Sequence, residues 1–152
     1  MDTGHPELRG FRGDRPVITL LGVCDSFSAQ LGGGGRPSLL SLIDVIFATQ
    51  SPVMIAGTVV AAIAGIREPV DCRFESVAYT AAQPLGVTHV IGNAHVEPPQ
   101  VDVTMYAYVT GTIAFAVESI PSKGELRIYC NGERLQSKPI LIMPPPTVGP
   151  TE

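Results

Sequence analysis

The stretch "SPVMIAGTVVAAIAGIREP", residues 51–69, guides the interpretation of the whole chain, because it holds 14 consecutive uncharged residues from Val53 to Ile66. A helix needs roughly 20 apolar residues to cross the hydrocarbon core of a bilayer. Proline and polar residues precede the stretch, and Arg67 and Glu68 close it. The stretch is therefore too short to predict a membrane-spanning helix.

The residue types in this stretch favour a strand. Seven of the 14 residues are β-branched, which suits a pleated sheet and is unfavourable in a helix. Both faces of such a strand are apolar, so it needs cover on both sides. We expect the domain's own core to cover one face, formed by Val53, Ile55, Val59 and Ile63. We expect a neighbouring subunit, or a second packed layer, to cover the other face, formed by Met54, Ala56, Val60 and Ala62.

Length and composition predict one turn-rich domain. The chain has 152 residues, of which 16 are glycine and 14 are proline. We expect a single β-domain over residues 16–143, an extended N-terminal arm over 1–15 and a Pro-rich tail over 144–152. Only 10 basic residues and a net charge of -4 argue against direct binding to nucleic acid.

Three cysteines, Cys24, Cys72 and Cys130, lie among apolar or alternating residues. An odd number leaves at least one unpaired within the chain, and unpaired cysteine behaves as a small buried hydrophobe. This predicts buried thiols and assembly in a reducing compartment. The first residues carry charges and no apolar segment, so no signal peptide is expected.

Periodicity along the rest of the chain indicates many short strands. Apolar and polar residues alternate over 101–117, which predicts one long strand or two strands broken at Gly111. Asn131-Gly132 predicts a type I′ hairpin turn that pairs Cys130 with Glu133 and Ile128 with Leu135. The pattern predicts an all-β fold, a two-sheet antiparallel sandwich of jelly-roll or related Greek-key type with extended N- and C-terminal arms.

Two segments are less regular. Residues 38–49 fit either a helical stripe or a strand, and we favour a helix, or one irregular turn, before a strand. In "EPVDCRFESVAYTA" the apolar residues Val70, Cys72 and Phe74 alternate with charges, and the apolar phase then moves to Val77 and Tyr79. That change of phase predicts a β-bulge near Ser76.

The N-terminal arm supplies a second group of predicted contact residues. An arm without periodicity makes few contacts in its own domain, so we expect it to lie along a neighbouring molecule. Phe11 would act as an apolar anchor, and Arg9, Arg12 and Arg15 would donate to carboxylates or carbonyls.

One cluster has the character of a metal site. His89, His95 and Glu97 are close in sequence, and two histidines with a glutamate bind metal in cupin-like barrels. Five residues separate the two histidines here, unlike the paired histidines of that family. The Gly-rich segment "LGGGGRPS" lacks the Gly-Lys-Ser/Thr ending of a phosphate-binding loop. We therefore predict no metal, no cofactor and no enzymatic activity.

The features together predict a structural subunit of a symmetric assembly. In architecture alone it resembles the small capsid or capsid-decorating proteins of double-stranded DNA viruses, which implies assembly in the host cytoplasm and a place in the virion. The expected partners are copies of the chain and a major shell protein. Two alternatives stay open: a cupin-like enzyme or ligand-binding barrel using His89, His95 and Glu97, and a short membrane-associated protein with Gly57, Ala61 and Gly65 on one helical line.

Overall fold

The computed structural model describes residues 15–28 and 38–147, with the backbone alone for 25–28 and 38–41. The described residues form nine strands: β1 (Val17–Ser28), β2 (Ser38–Ile43), β3 (Val45–Phe47), β4 (Val53–Ala64), β5 (Val70–Ala78), β6 (Val87–Val96), β7 (Met105–Phe115), β8 (Ser122–Cys130) and β9 (Glu133–Met143). The exposed residues 144–147 follow β9 without regular structure.

The strands form two sheets that pack face to face. The first sheet has the order β2-β1-β4-β7, and the second has the order β3-β9-β8-β5-β6. All pairs are antiparallel except β3 with β9. This confirms the predicted two-sheet sandwich. The order β1-β4-β7 opposite β9-β8-β5 is that of the Greek-key sandwiches of immunoglobulin type, strands A-B-E opposite G-F-C.

The apolar stretch at 53–66 forms a strand, β4, as predicted, and this strand is central in its sheet. β4 lies between β1 and β7, and its long register with β7 runs from Val53 opposite Phe115 to Ile63 opposite Met105. Val59 and Ile63 point inward and belong to the main core. A strand with neighbours on both sides has every backbone group paired, which suits an uninterrupted run of apolar residues.

The core lies between the inner faces of the two sheets, and Phe115 is at its centre. Phe115 of β7 is fully buried. A Cβ atom added to Gly124 of β8 would lie 2.3 Å from its ring, so this position in the opposite sheet must be glycine. The one buried hydroxyl on the inner face of β5, Ser76, donates a 2.6 Å hydrogen bond to the carbonyl of Ala114 on β7. At this point the two sheets are therefore joined by ring packing and by a polar contact.

Three of the local predictions in these segments need correction, and the turn prediction is confirmed. Residues 38–49 form strands β2 and β3 with a bend at Asp44, not a helix. β7 is continuous through Gly111, whereas Val101 and Val103 precede the strand and are exposed. The turn has the predicted positive φ angles at Asn131 and Gly132, and Cys130 pairs with Glu133. Ile128 pairs with Gln136, however, because a register shift follows it.

The β-bulge predicted near Ser76 of β5 is instead on the neighbouring strand, β6. The register between β5 and β6 shifts after Phe74, where the extra residue is Ile91 of β6, whereas the pairing of β5 with β8 is regular. β5 therefore keeps its phase: Ser76 and Ala78 point inward, and Val77 lies on the outer face. Val77 is nevertheless buried, because the backbone at Gly86 lies directly against it.

Candidate functional site

The bulge at Ile91 separates the two histidines that were predicted to share a site. Residues directly opposite each other on antiparallel strands point to the same face. His95 is opposite Asp71 on the outer face, and His89 is opposite Ser76 on the inner face. The extra residue between them therefore places the two imidazole rings on opposite sides of the sheet.

His95 lies between two carboxylates at the exposed edge of the second sheet. Its Nδ1 is 2.6 Å from Asp71 Oδ1, and its Nε2 is 2.7 Å from Glu97 Oε1. The hydrogen bond with Asp71, and then that with Glu97, raises the pKa of His95 above its ordinary value. Both ring nitrogens are thus occupied by carboxylates. Across residues 15–28 and 38–147, no group of three His, Cys, Asp or Glu side chains is arranged to hold a metal ion.

His89 links the two sheets. Its Nε2 lies 3.0 Å from the carbonyl oxygen of Thr112 on β7, a strand that belongs to the other sheet. β6 and β7 run side by side here, since a Cβ on Gly92 would collide with Val109 and one on Gly111 would lie 3.2 Å from the carbonyl of Ile91. His89 therefore satisfies a backbone carbonyl on the unpaired edge of β7.

Charged side chains on the outer face of the second sheet are paired with each other. Arg73 Nε lies 2.9 Å from Glu75 Oε1, and the Arg73 guanidinium lies 4.8 Å from the centre of the Tyr129 ring. On β8, Arg127 contacts Glu125 through Nε at 3.2 Å and through its terminal nitrogen at 3.0 Å. The strip made by these residues has two positive and two negative groups, and it leaves little unbalanced charge for a ligand.

Tyr79 extends this strip. Its hydroxyl donates to Glu125 Oε2 at 2.8 Å and accepts a hydrogen bond from Arg127. The bond to Glu125 raises the pKa of Tyr79. Burial acts to raise the pKa of Glu125, but the hydrogen bonds from its neighbours, that of Tyr79 first, outweigh burial and lower it. Glu125 therefore stays ionised at neutral pH and holds the other two side chains in place.

A shallow cleft beside Tyr79 has a volume of about 560 Å³. Aromatic, proline and charged side chains share its walls, which are formed by Tyr79, Ser122, Lys123, Gly124, Glu125 and Pro139. Two of the polar groups in the walls, Tyr79 and Glu125, are already bonded to each other. The cleft therefore does not present a set of convergent unpaired groups of the kind that orient a substrate.

An exposed apolar patch lies at the outer face of β3 and β9. Phe47 is opposite Met143, and Val45 is opposite Leu141, so their side chains are neighbours on one face. Phe47, Leu141 and Met143 are 59%, 47% and 37% exposed. We call these three residues the edge patch. Contiguous apolar surface of this kind marks a contact site more often than scattered single residues do.

Sequence reasoning missed the edge patch, although a signal was present. The run "ILIM" at 140–143 is apolar on both faces of a strand, as the stretch 53–66 is. In the structure Ile140 and Ile142 are buried in the core, and Leu141 and Met143 face outward. The rule that was applied to β4 predicts an outer contact surface on β9 as well.

The four predicted contact residues on β4 divide into two pairs. Met54, 64% exposed, and Ala56 lie at the surface. Val60 and Ala62 are buried within the single chain, at 0% and 5% exposure, although they point away from the main core. The part of this face that is exposed in the single chain is therefore the end at Met54, whereas Val60 and Ala62 are covered within the chain.

The arm residues are only partly described. Arg15 lies at the start of the described chain, and its Nε is 3.2 Å from Glu133 Oε2. This ion pair is within the same chain and mostly exposed, so it contributes little to stability. Arg9, Phe11 and Arg12 lie outside the described residues, and their contact roles remain predictions.

Comparison with known proteins gives no family. No protein-family model and no curated protein sequence matches the chain at a significant level. A solved structure of the Pseudomonas fluorescens alkylpurine DNA glycosylase AlkC, bound to DNA containing an abasic site analog, aligns with a TM-score of 0.46 and 12% identity over 86% of this chain. The alignment covers 31% of that chain. A likeness at this level carries no information about function.

The described residues include no helix with the length and hydropathy that a membrane crossing needs.

Proposed function

We propose that this chain is a non-enzymatic structural subunit that acts through contacts between copies. The observation that carries this proposal is the edge patch of Phe47, Leu141 and Met143, which remains exposed, whereas the Arg73–Glu75 and Arg127–Glu125 pairs on the outer face of the same sheet are satisfied within the chain. The fully buried centre of a protein–protein contact is more apolar than the rest of the surface, and phenylalanine and methionine are enriched in such contacts.

A second exposed apolar position lies on the other sheet. Met54 is on the outer face of β4, in the first sheet, and the edge patch is on the outer face of the second. Two different contact surfaces on opposite faces permit head-to-tail association, in which each copy uses one surface for each neighbour. Such contacts build rings or extended shells.

We propose further that the assembly is a viral shell, to which the chain contributes either as a capsid subunit or as a decoration protein on a major shell protein. The support is architectural: a small β-sandwich, a predicted Arg-bearing arm and a Pro-rich tail. The buried, unbridged cysteines suit assembly in a reducing host cytoplasm. The proposal includes no cofactor and no direct contact with nucleic acid.

The test is the native mass of the purified chain and of two variants by light scattering. We expect the parent to form a defined oligomer at micromolar concentration. The double variant Phe47→Asp/Leu141→Asp should need a protein concentration at least tenfold higher than the parent to reach half-assembly. The reason is that the contact would have to bury unpaired carboxylates.

Leu85→Asp is the matched control. Leu85 is 92% exposed on the loop before β6, outside the edge patch, and the same apolar-to-charged change there should leave the mass of the oligomer unchanged. Circular dichroism serves to check that both variants fold. A monomeric parent, or an oligomer that the double variant forms as well as the parent does, would contradict the proposal.

A further inference from the structure

Two of the three cysteines are direct partners across neighbouring strands. Cys72 of β5 is opposite Cys130 of β8, and both side chains belong to the core between the sheets. Their Sγ atoms are 3.6 Å apart. Directly opposite residues of an antiparallel pair have Cα atoms roughly 4.5 to 5.5 Å apart, within the range that a disulfide spans.

The third cysteine is remote from this pair. Cys24 lies on β1 in the other sheet, and its Sγ is 3.5 Å from the carbonyl oxygen of Thr58. None of the three is in a disulfide in this structure, and all three are buried. Any bridge that forms without rearrangement of the fold therefore joins Cys72 to Cys130.

The two thiols of the pair share one hydrogen bond, in which either sulfur can be the donor. The contact with Cys130 lowers the pKa of Cys72, because a thiol that donates to a thiolate stabilises it. The thiolate is the form that reacts with oxidants, and the other sulfur of the pair is in place to act as the resolving thiol.

We propose that Cys72 and Cys130 form an oxidation site that closes to a cross-strand disulfide on exposure to hydrogen peroxide. The Cys72 thiolate attacks one peroxide oxygen, the O–O bond breaks, and Cys72 becomes a sulfenic acid while hydroxide leaves. Cys130, deprotonated by that hydroxide, attacks the sulfenic sulfur and displaces a second hydroxide, which takes up the proton first released by Cys72. In total, two thiols and one peroxide give one disulfide and two waters.

Burial limits the reaction to a small oxidant and to local opening. Cys130 is the last residue of β8, directly before the Asn131-Gly132 turn, so we expect peroxide to enter when this end of the hairpin opens. The resulting bond would tie β5 to β8 in the middle of the second sheet, and it would close a long loop in the unfolded chain. Such a loop closure stabilises the folded state.

The experiment uses the full chain, reduced and then freed of reductant. After treatment with hydrogen peroxide the protein is denatured, alkylated with iodoacetamide and measured by intact mass and by peptide mapping. We expect a loss of about 2 Da from the pair, alkylation of Cys24 alone, and a peptide that links Cys72 to Cys130. The thermal midpoint of the oxidised protein should rise by about 5 °C or more, and dithiothreitol should reverse both changes.

Variants separate this site from general oxidation. Cys24→Ser should keep the mass loss, whereas Cys130→Ser should lose it and should accumulate a sulfenic acid on Cys72 that dimedone traps. If Cys130→Ser does not fold, the peptide map of the unsubstituted protein decides alone. Alkylation of all three cysteines at a peroxide dose that fully oxidises a reference dithiol, or a linked peptide that contains Cys24, would overturn the proposal.

Discussion

At the scale of single residues, the pKa of His95 is raised by two neighbouring carboxylates. Asp71 and Glu97 hold the imidazole from both sides and raise its pKa. Because a raised pKa means that the folded state binds the proton more tightly, these contacts stabilise the fold below the ordinary pKa of histidine, and their contribution disappears as pH rises through the raised value. The cluster is exposed, so we expect a small effect on stability and a clear effect on titration.

The first prediction tests that cluster. Asp71→Asn should lower the pKa of His95 toward its ordinary value, because one of the two carboxylates that stabilise the imidazolium is removed. NMR titration of the ring protons measures the change directly. Asp102→Asn, a change at an exposed position outside the cluster, is the control and should leave the His95 curve in place. An unchanged pKa in Asp71→Asn would show that the two side chains do not meet in solution.

At the scale of elements, the β8–β9 hairpin depends on its two turn residues. Asn131 has φ 49° and Gly132 has φ 82°, the left-handed values of a type I′ turn. The Asn131 side chain also accepts a 2.9 Å hydrogen bond from the backbone of Asp71 and so ties the turn to β5. The turn thereby sets the register that brings Cys130 opposite Cys72.

The second prediction concerns that turn. Gly132→Ala should lower the free energy of unfolding by about 1 kcal/mol, because alanine is strained at a positive φ angle. Gly132→Asn is the matched control and should cost less, since asparagine tolerates this conformation better than alanine does. Urea denaturation of the three proteins measures the difference. Equal stability of the two variants would mean that backbone strain does not govern this turn.

At the scale of the whole molecule, the two sheets depend on one another through Phe115. Its ring lies against Gly124 of the opposite sheet and is fully buried. The inner face of each sheet is lined by apolar residues that belong to one common core. Each sheet therefore covers the inner face of the other. The sandwich is therefore expected to fold as one cooperative unit.

The third prediction follows from this arrangement. Phe115→Asp should abolish soluble folding, since it buries an unpaired charge at a cost of several kcal/mol, comparable with the stability of a whole domain. Met54→Asp is the control: Met54 is on the neighbouring strand, one register step away, and is 64% exposed, so that variant should fold. Soluble yield and thermal unfolding compare the two. A Phe115→Asp protein that melts like the parent would contradict the inner face assigned to β7.

The sequence by itself determined the fold class, the strand at 53–64 and the turn at Asn131-Gly132, because these depend on local residue types. β-branched runs, alternation and a dipeptide that accepts positive φ angles act within a few residues of each other. The same local reasoning also placed Phe115 correctly in the core. Local reasoning failed at 38–49, because the residues there fit both a helical stripe and a strand pattern. The pairing of β2 with β1 and of β3 with β9 decides that this segment forms strands.

Only the tertiary structure decided which residues meet. Ile91 is an extra residue in β6, so, relative to the residues before it, the residues after it point to the faces opposite from those that simple alternation predicts. This places His89 and His95 on different sides of the sheet. No local pattern in β6 reveals the extra residue. Strand order likewise placed Cys72 opposite Cys130, 58 residues away in sequence, and brought Phe47 beside Met143. Pairing between distant strands depends on the register of the whole sheet, and that register is set by the turns, the bulges and the common core together.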